Sequence, residues 1–266
     1  MTFETLHQTL PGLAVAGLLG LIVGSFLNVV IHRLPRGESI VSPPSRCPSC
    51  GTRVAPFDNV PVLSWIVLGG RCRSCRARIS IRYPAIELAN GVLWVLVACT
   101  APSWGDAATG AFLTSACLAL AAIDLDHEIL PDWITLPGIA VGLALAFVSV
   151  RRTPLEAVLG AVLGAGGLFL LAFAYEKITG QEGMGLGDVK MLGMVGALLG
   201  PAGVVVTVFI ASVTGSVVGV SWILLKGGGG KTRIRFGPFL ALGAVLAWFV
   251  GEPLVTWYRT LFQRPA

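Results

Sequence analysis

The chain has 266 residues, of which 55% are hydrophobic and only 12% are charged. Its mean hydropathy of +0.81 excludes a soluble globular domain and indicates an integral membrane protein. The net charge of +5 does not require a nucleic-acid partner, because membrane topology and contact with anionic lipids explain the basic residues. The chain also has no nucleic-acid recognition motif, so we predict no such partner.

Eight apolar stretches predict an all-α fold, a polytopic bundle of about eight transmembrane helices. Helices are expected because lipid offers no hydrogen-bond partner to an exposed backbone. The sixth stretch is short, since Pro201 interrupts it. In chain order the stretches are 13–31, 84–100, 107–123, 133–150, 155–175, 189–200, 203–225 and 238–258. Glycines at four-residue spacing predict close helix packing at Gly160 and Gly164, Gly196 and Gly200, and Gly215 and Gly219.

The basic residues predict how the bundle is oriented. If the amino terminus lies outside, the loops 33–83, 124–132, 176–188 and 226–237 face the cytoplasm, and these loops with their flanks hold 15 of the 19 Lys and Arg residues. This asymmetry follows the positive-inside rule. The first span is expected to be a retained anchor, because its basic flank follows the apolar run instead of preceding it.

Four cysteines in the largest polar loop predict a metal site. Cys47 and Cys50 form one Cys-x-x-Cys pair, and Cys72 and Cys75 form a second pair after 21 intervening residues. This spacing is typical of four thiolates around zinc, with iron or a redox function as alternatives. Disulfides rarely persist in a reducing cytoplasm. Since four sulfur ligands leave no position for a reacting water, we expect the zinc to be structural.

Two aspartates at the ends of separate spans are the candidate catalytic pair. Asp124 follows the third apolar stretch, and Asp188 closes the string GMGLGD before the sixth. A carboxylate beside the hydrocarbon core is costly and therefore indicates function. Two carboxylates that share one proton and one water can hydrolyse a peptide bond. We predict that Asp124, at a helix carboxyl end, holds the proton and that Asp188, at an amino end near Lys190, is the base.

Other interpretations of the acidic residues remain open. Asp126, Glu128 and Asp132 are rival candidates for the first carboxylate, although loop charge or helix capping explains them more simply. A non-enzymatic transporter or receptor with a zinc-stabilised loop would share the hydropathy and the cysteines. The buried acids of transporters, however, usually lie near the bilayer midplane.

Further motifs extend over most of the chain: GSFLNV at 24–29, HRLP at 32–35, RYP at 82–84 with Glu87, and FGPFLA at 236–241. Together with the cysteines and aspartates, they resemble the bacterial type IV prepilin leader peptidases, which are GxGD-type intramembrane aspartic proteases and also N-methyltransferases. The resemblance implies that Asp124 and Asp188 are catalytic and that Cys47, Cys50, Cys72 and Cys75 bind the metal. It also implies that prepilin or pseudopilin precursors are cut at the cytoplasmic face of the inner membrane.

The same resemblance implies methylation of the new amino terminus by S-adenosylmethionine. The sequence locates no site for this donor, because no Rossmann domain fits a loop of about fifty residues. Glu87 is a weak candidate, since an embedded carboxylate needs a cationic partner, and Ser25, Asn28 and His32 share one helical face. Hydrogen bonds between helices explain these groups more simply. A peptidase without methyl transfer is the alternative.

These predictions divide the chain into three parts. A first transmembrane helix occupies 1–32, a cytoplasmic zinc-binding loop domain occupies 33–83, and a membrane-embedded aspartic protease helix bundle occupies 84–266. We also expect Asp126, Glu128 and Glu182 to help receive the positively charged leader of the substrate.

Overall fold

The computed structural model describes residues 7–180, 185–226 and 235–262. Within these ranges the chain forms eight α-helices and no β-strand: α1 Leu10–Arg33, α2 Leu63–Val67, α3 Arg82–Thr100, α4 Trp104–His127, α5 Asp132–Leu145, α6 Pro154–Thr179, α7 Leu186–Lys226 and α8 Gly237–Phe262. The predicted all-α class is confirmed.

The number of apolar segments agrees with the prediction of about eight. Among the described residues, six helices are long and apolar enough to cross a membrane, and α5 is a shorter apolar helix. The long helix α7 contains a break at Gly200, where φ is 74° and ψ is −179°, directly before Pro201. The predicted interruption at Pro201 is therefore confirmed, and the two parts of α7 count as two of the eight segments.

The helix α5 is shorter than the predicted stretch 133–150, because it ends at Leu145. Its 14 residues extend over about 21 Å, which is less than the hydrocarbon thickness of about 30 Å. The guanidinium of Arg152 returns to this end, where it donates to Thr109 Oγ1 at 3.3 Å and to the carbonyl of Gly142 at 3.5 Å. The Gly142 carbonyl also accepts the N–H of Ala146 at 3.2 Å, so the arginine adds a second hydrogen bond at the carboxyl end of α5.

The chain divides into two compact units, Met1–Ala107 and Ala108–Ala266. In the first unit, α1 and α3 pack together and the polar loop connects them. A Cβ at Gly24 would lie only 2.7 Å from the Cα of Glu87, so glycine permits this close approach. The side chain of Asn90 adds a hydrogen bond from Nδ2 to the carbonyl of Gly20 at 2.7 Å.

In the second unit, α7 packs against α5, α6 and α8. The middle of the first part of α7 is buried, from residue 191 to residue 198. Its residues with no exposed surface are Met191, Met194, Val195, Ala197 and Leu198. A Cβ at Gly160 or Gly196 would collide with the backbone of the facing helix, and one at Gly164 would collide with the backbone of Leu192. The predicted close packing at these three glycines is confirmed.

Candidate active site and candidate metal centre

Asp124 and Asp188 are brought to the same end of the second unit by two helices. Asp124 lies in the last turn of α4, and Asp188 lies in the first turn of α7. Their carboxyl groups are close enough to interact electrostatically. Asp124 is only 7% exposed, and Asp188 is half-buried. The two aspartates singled out in the sequence therefore belong to one site.

The amino end of α8 borders this site and fits tightly around Asp124. The backbone N–H of Gly237 donates a hydrogen bond to the Asp124 carboxylate, and a Cβ at Gly237 would lie 2.5 Å from Asp124 Oδ2. The side chain of Leu130 packs over both Gly237 and Gly187, where an added Cβ would meet it at 3.3 and 3.0 Å. The space around the carboxylates thus favours glycine at both positions.

Gly237 is a site residue that sequence reasoning missed. The available signal was its place in the motif at 236–241, but the motif alone does not reveal which side chain it approaches. Only the fold places the start of α8 against the end of α4.

Arg235 connects these same two helix ends. Its guanidinium donates to the carbonyl of Leu125 and forms an ion pair with Glu128 at 2.6 Å. Its positive charge also acts on Asp124, in addition to the dipole of α4. The assignment of the shared proton to Asp124 stays a prediction.

Lys190 was expected to favour the anion of Asp188, but its ammonium group is held by a different carboxylate. Its Nζ donates to the two oxygens of Asp132 at 2.7 and 2.8 Å. Asp132 is the first residue of α5, so this ion pair links the start of α5 to the start of α7. Asp132 therefore has a structural partner of its own.

The remaining acidic candidates have different surroundings. Glu128 is paired with Arg235, and Asp126 is exposed. Glu182 lies outside the described residues, as do Gly183 and Met184 of the glycine-rich string and most of the predicted loop 226–237. The prediction that Asp126, Glu128 and Glu182 receive a basic leader is untested by these contacts, although Glu128 already has a basic partner.

The four cysteines form one cluster in the loop of the first unit. Their sulfur atoms all lie within 4.8 Å of one another, and the Sγ atoms of Cys47 and Cys75 are 3.8 Å apart. Two sulfurs in a zinc tetrahedron with Zn–S bonds of about 2.3 Å are separated by about 3.8 Å. The donor set and its spacing therefore fit a zinc ion.

Two similar turns present the four sulfurs. The N–H of Cys47 donates to the carbonyl of Thr52, and that of Cys72 donates to the carbonyl of Ala77, both at 2.9 Å. Each turn is closed by an antiparallel bridge, Arg46 with Arg53 and Arg71 with Arg78. At equivalent places the backbone takes a left-handed conformation, with φ of 70° at Gly51 and 60° at Arg76.

Hydrogen bonds within these turns favour the thiolate form that a metal binds. Hydrogen bonds with the hydroxyl and then the backbone of Thr52 lower the pKa of Cys50 to about 6. Backbone hydrogen bonds from Cys75 and Ser74 lower the pKa of Cys72 as well. Two of the four thiols, those of Cys50 and Cys72, are thus predisposed to ionise. For Cys75, a backbone hydrogen bond from Ala77 acts in the same direction, but hydrogen bonds with the neighbouring thiols prevail and raise its pKa to about 11.

Comparison with known proteins shows the family of this chain. Residues 18–101 match the family described as Bacterial Peptidase A24 N-terminal domain, and residues 111–220 match the Type IV leader peptidase family. A protein of Aeromonas hydrophila named prepilin leader peptidase/N-methyltransferase is 40% identical over 92% of this chain and 93% of its own length. The chain belongs to the type IV leader peptidase family.

Two more leader peptidases carry the same name. The relative from Pseudomonas aeruginosa is 36% identical over 91% of each chain, and that from Burkholderia pseudomallei is 41% identical over 91% of this chain and 86% of its own length. No solved structure gives a significant match. The match at 18–101 contains the cysteines, whereas the match at 111–220 contains both aspartates.

Polar groups of α1 and α3 in this leader peptidase bond to each other and to the loop. Glu87 Oε2 accepts a hydrogen bond from the backbone N–H of Val62 at 2.8 Å, and the side chain of Ser25 bonds to the same carboxylate. Asn28 Nδ2 donates to the carbonyl of Tyr83 at 3.1 Å. These bonds agree with the simpler explanation of such groups, while a methyl-donor role for Glu87 stays a prediction.

Proposed function

We propose that this leader peptidase cleaves type IV prepilins or pseudopilins with the pair Asp124 and Asp188, and then N-methylates the new amino terminus. The observation that carries the aspartic mechanism is the convergence of two carboxyl groups from separate helix ends in one glycine-bordered site. The names of the relatives support the substrate class and the two activities.

In the proposed reaction, the two carboxyl groups share one proton and hold one water molecule between them. The ionised group takes a proton from the water while the water oxygen attacks the scissile carbonyl carbon, and the protonated group gives its proton to the carbonyl oxygen. The tetrahedral intermediate then collapses. Its C–N bond breaks, and the nitrogen leaves with a proton as the new amino terminus.

The surroundings of Asp124 support this use of the pair. The N–H of Gly237 fixes the carboxylate against the start of α8, and such positioning lowers the cost of reaching the reactive geometry. Gly187 and Gly237 place backbone without side chains beside the pair, which lets an extended substrate approach closely.

We propose the bacterial inner membrane as the location, with the amino terminus outside. The distribution of Lys and Arg supports this orientation, and it places the ends of α4 and α7 that carry the aspartates at the cytoplasmic face. Precursors with a basic leader would then meet the site from the side where they are made.

Zinc is the metal that we propose for the cysteine cluster. Bound there, it would cross-link the two turns and stabilise the loop, because four thiolates complete its coordination. The residues that would hold it are Cys47, Cys50, Cys72 and Cys75.

S-adenosylmethionine is the methyl donor that we propose, and it would supply an electrophilic methyl group to the new amine. The Glu87 carboxylate already accepts a hydrogen bond from Val62 and bonds to Ser25. Both partners are neutral, and Glu87 stays a predicted position for the donor.

The test uses the purified full-length protein and a prepilin-like peptide, with and without S-adenosylmethionine, and records the mass of the products. We expect loss of the leader in both reactions and addition of one methyl group only with the donor. Loss of the leader without methyl addition would support a peptidase alone, whereas two unchanged masses would support the transporter or receptor alternative.

Variants assign the chemistry to residues. Asp124→Asn and Asp188→Asn are each expected to abolish cleavage while a pre-cut peptide is still methylated. The matched control is Glu176→Gln, which removes an exposed carboxylate near the end of α6 and should leave cleavage unchanged. Full cleavage by either Asn variant would refute the shared-proton mechanism.

A further inference from the structure

The short helix α2 presents an apolar face to its surroundings. Leu63, Ile66 and Val67 are 62%, 61% and 79% exposed, and they lie on one face because they are three and four positions apart. Trp65 points elsewhere, since its Nε1 donates to the carbonyl of Ile79 at 3.1 Å. One side of α2 thus holds the loop together, while contiguous exposed apolar side chains on the other indicate a binding surface.

Glu87 fixes the level of α2 relative to the membrane. The helix α3 has 19 residues, or about 28 Å, so it crosses a core of about 30 Å only if both of its ends lie at the core boundaries. Glu87 lies five residues after Arg82, where α3 begins, and therefore about 7 Å inside that end. Its carboxylate holds the N–H of Val62 at 2.8 Å, directly before α2.

The backbone at Val62 shows that the loop is held in this place. Val62 has φ of 62° and ψ of −50°, a conformation that is a genuine outlier for a β-branched residue. Such strain persists only where the surrounding contacts determine it. The hydrogen bond to Glu87 before α2 and the Trp65 hydrogen bond within it are two such contacts.

The residues around α2 match the chemistry of an anionic bilayer surface. Phe57, which is 67% exposed, lies 5.5 Å from the guanidinium carbon of Arg73. Further exposed arginines occupy the two cysteine turns, namely Arg46, Arg53, Arg71, Arg76 and Arg78. Apolar side chains beside basic ones are typical of helices that lie in the membrane interface. Arg73 is paired with Asp58 at 2.6 Å, so the attraction of anionic headgroups acts on the arginines of the cysteine turns.

We propose that the α2 face formed by Leu63, Ile66 and Val67 inserts into the boundary between headgroups and acyl chains of an anionic bilayer. It anchors the loop domain to the membrane surface. Lipid is favoured over a protein partner because the Glu87 contact places this face at the depth of the interface and because the loop that carries it has exposed arginines. The inference is independent of the proposed proteolysis.

The experiment uses the full-length protein in vesicles of phosphatidylcholine and phosphatidylglycerol in roughly equal amounts. An environment-sensitive fluorescent amino acid replaces Val67 in one sample and Ser49, an exposed polar residue of the first cysteine turn, in the control. Lipids with a nitroxide near the top of the acyl chain serve as quenchers. We expect about half of the emission to be lost at position 67, with a blue shift, and little loss at position 49.

A second variant keeps the test decisive if the Val67 reporter does not fold. The reporter then replaces Ile66, and retained metal binding verifies the loop. Adding Leu63→Ser to either reporter should reduce the quenching by lipid. Three results would each overturn the proposal. They are quenching by a water-soluble nitroxide instead of the lipid nitroxide, equal quenching at position 49, and self-quenching that reports a second copy of the chain.

Discussion

Gly237→Ala tests whether the tight fit around Asp124 serves catalysis. The added Cβ would lie 2.5 Å from Asp124 Oδ2 and 3.1 Å from Cγ. Ordinary contact begins near 3.4 Å, so the carboxylate must retreat by about 0.9 Å or α8 must shift. A displacement of about 1 Å costs about a hundredfold in rate, or about 2.7 kcal/mol in activation free energy.

The assay compares kcat and KM for a prepilin-like peptide in detergent. We expect kcat to fall by about a hundredfold with KM little changed, because the substitution moves a reacting group and leaves distant substrate contacts intact. Alanine should not harm the helix itself, since Gly237 opens α8 without a positive φ and alanine favours helix formation.

Gly251→Ala is the matched control. Gly251 lies in the same helix, and a Cβ there would meet nothing within 4 Å, so activity and melting temperature should stay at the wild-type level. A Gly237→Ala protein that folds and retains activity within about threefold would refute the reasoning, because that loss is under 1 kcal/mol.

Three further outcomes are expected. Gly196→Ala should lower the melting temperature in detergent, because overpacking against α6 destabilises the fold by about 1–3 kcal/mol. Gly167→Ala is the control, since a Cβ there meets nothing within 4 Å. Equal changes in melting temperature for the two variants would contradict this reasoning. Asp132→Lys and Lys190→Asp should each lower kcat by up to about fivefold, because an ion pair is worth at most about 1 kcal/mol. If the double variant with both exchanges does not recover activity, the ion pair does not position the start of α7. Cys50→Ser should reduce bound zinc below about one ion per chain by elemental analysis, and an unchanged zinc content would show that Cys50 is not a ligand.

Much of the fold could be predicted because lipid imposes simple rules on a sequence. Apolar length predicted the spanning helices, and Pro201 predicted the break that the backbone of Gly200 shows. The early end of α5 could not be predicted, since composition stays apolar to Val150. The Arg152 side chain that bonds to Gly142 at this end likewise approaches only through the fold.

The site shows a similar division between local and long-range information. Cysteine spacing predicted the cluster because each turn is local, and the helix ends predicted where Asp124 and Asp188 lie. The partners of Lys190 and Glu128 depend on which helices become neighbours, which the pattern of one sequence does not contain. The Lys190 contact with Asp132 and the Gly237 contact with Asp124 are therefore visible only in three dimensions.

The two aspartates also differ in how tightly their surroundings hold them. Asp188 is half-buried in the first turn of α7, close to the exposed Leu186, and the buried part of that helix begins at the next residue, Val189. Asp124 is followed by an exposed turn that Arg235 holds from outside the membrane core. With an exposure of only 7% and a hydrogen bond from Gly237, the carboxylate of Asp124 is the more constrained of the two.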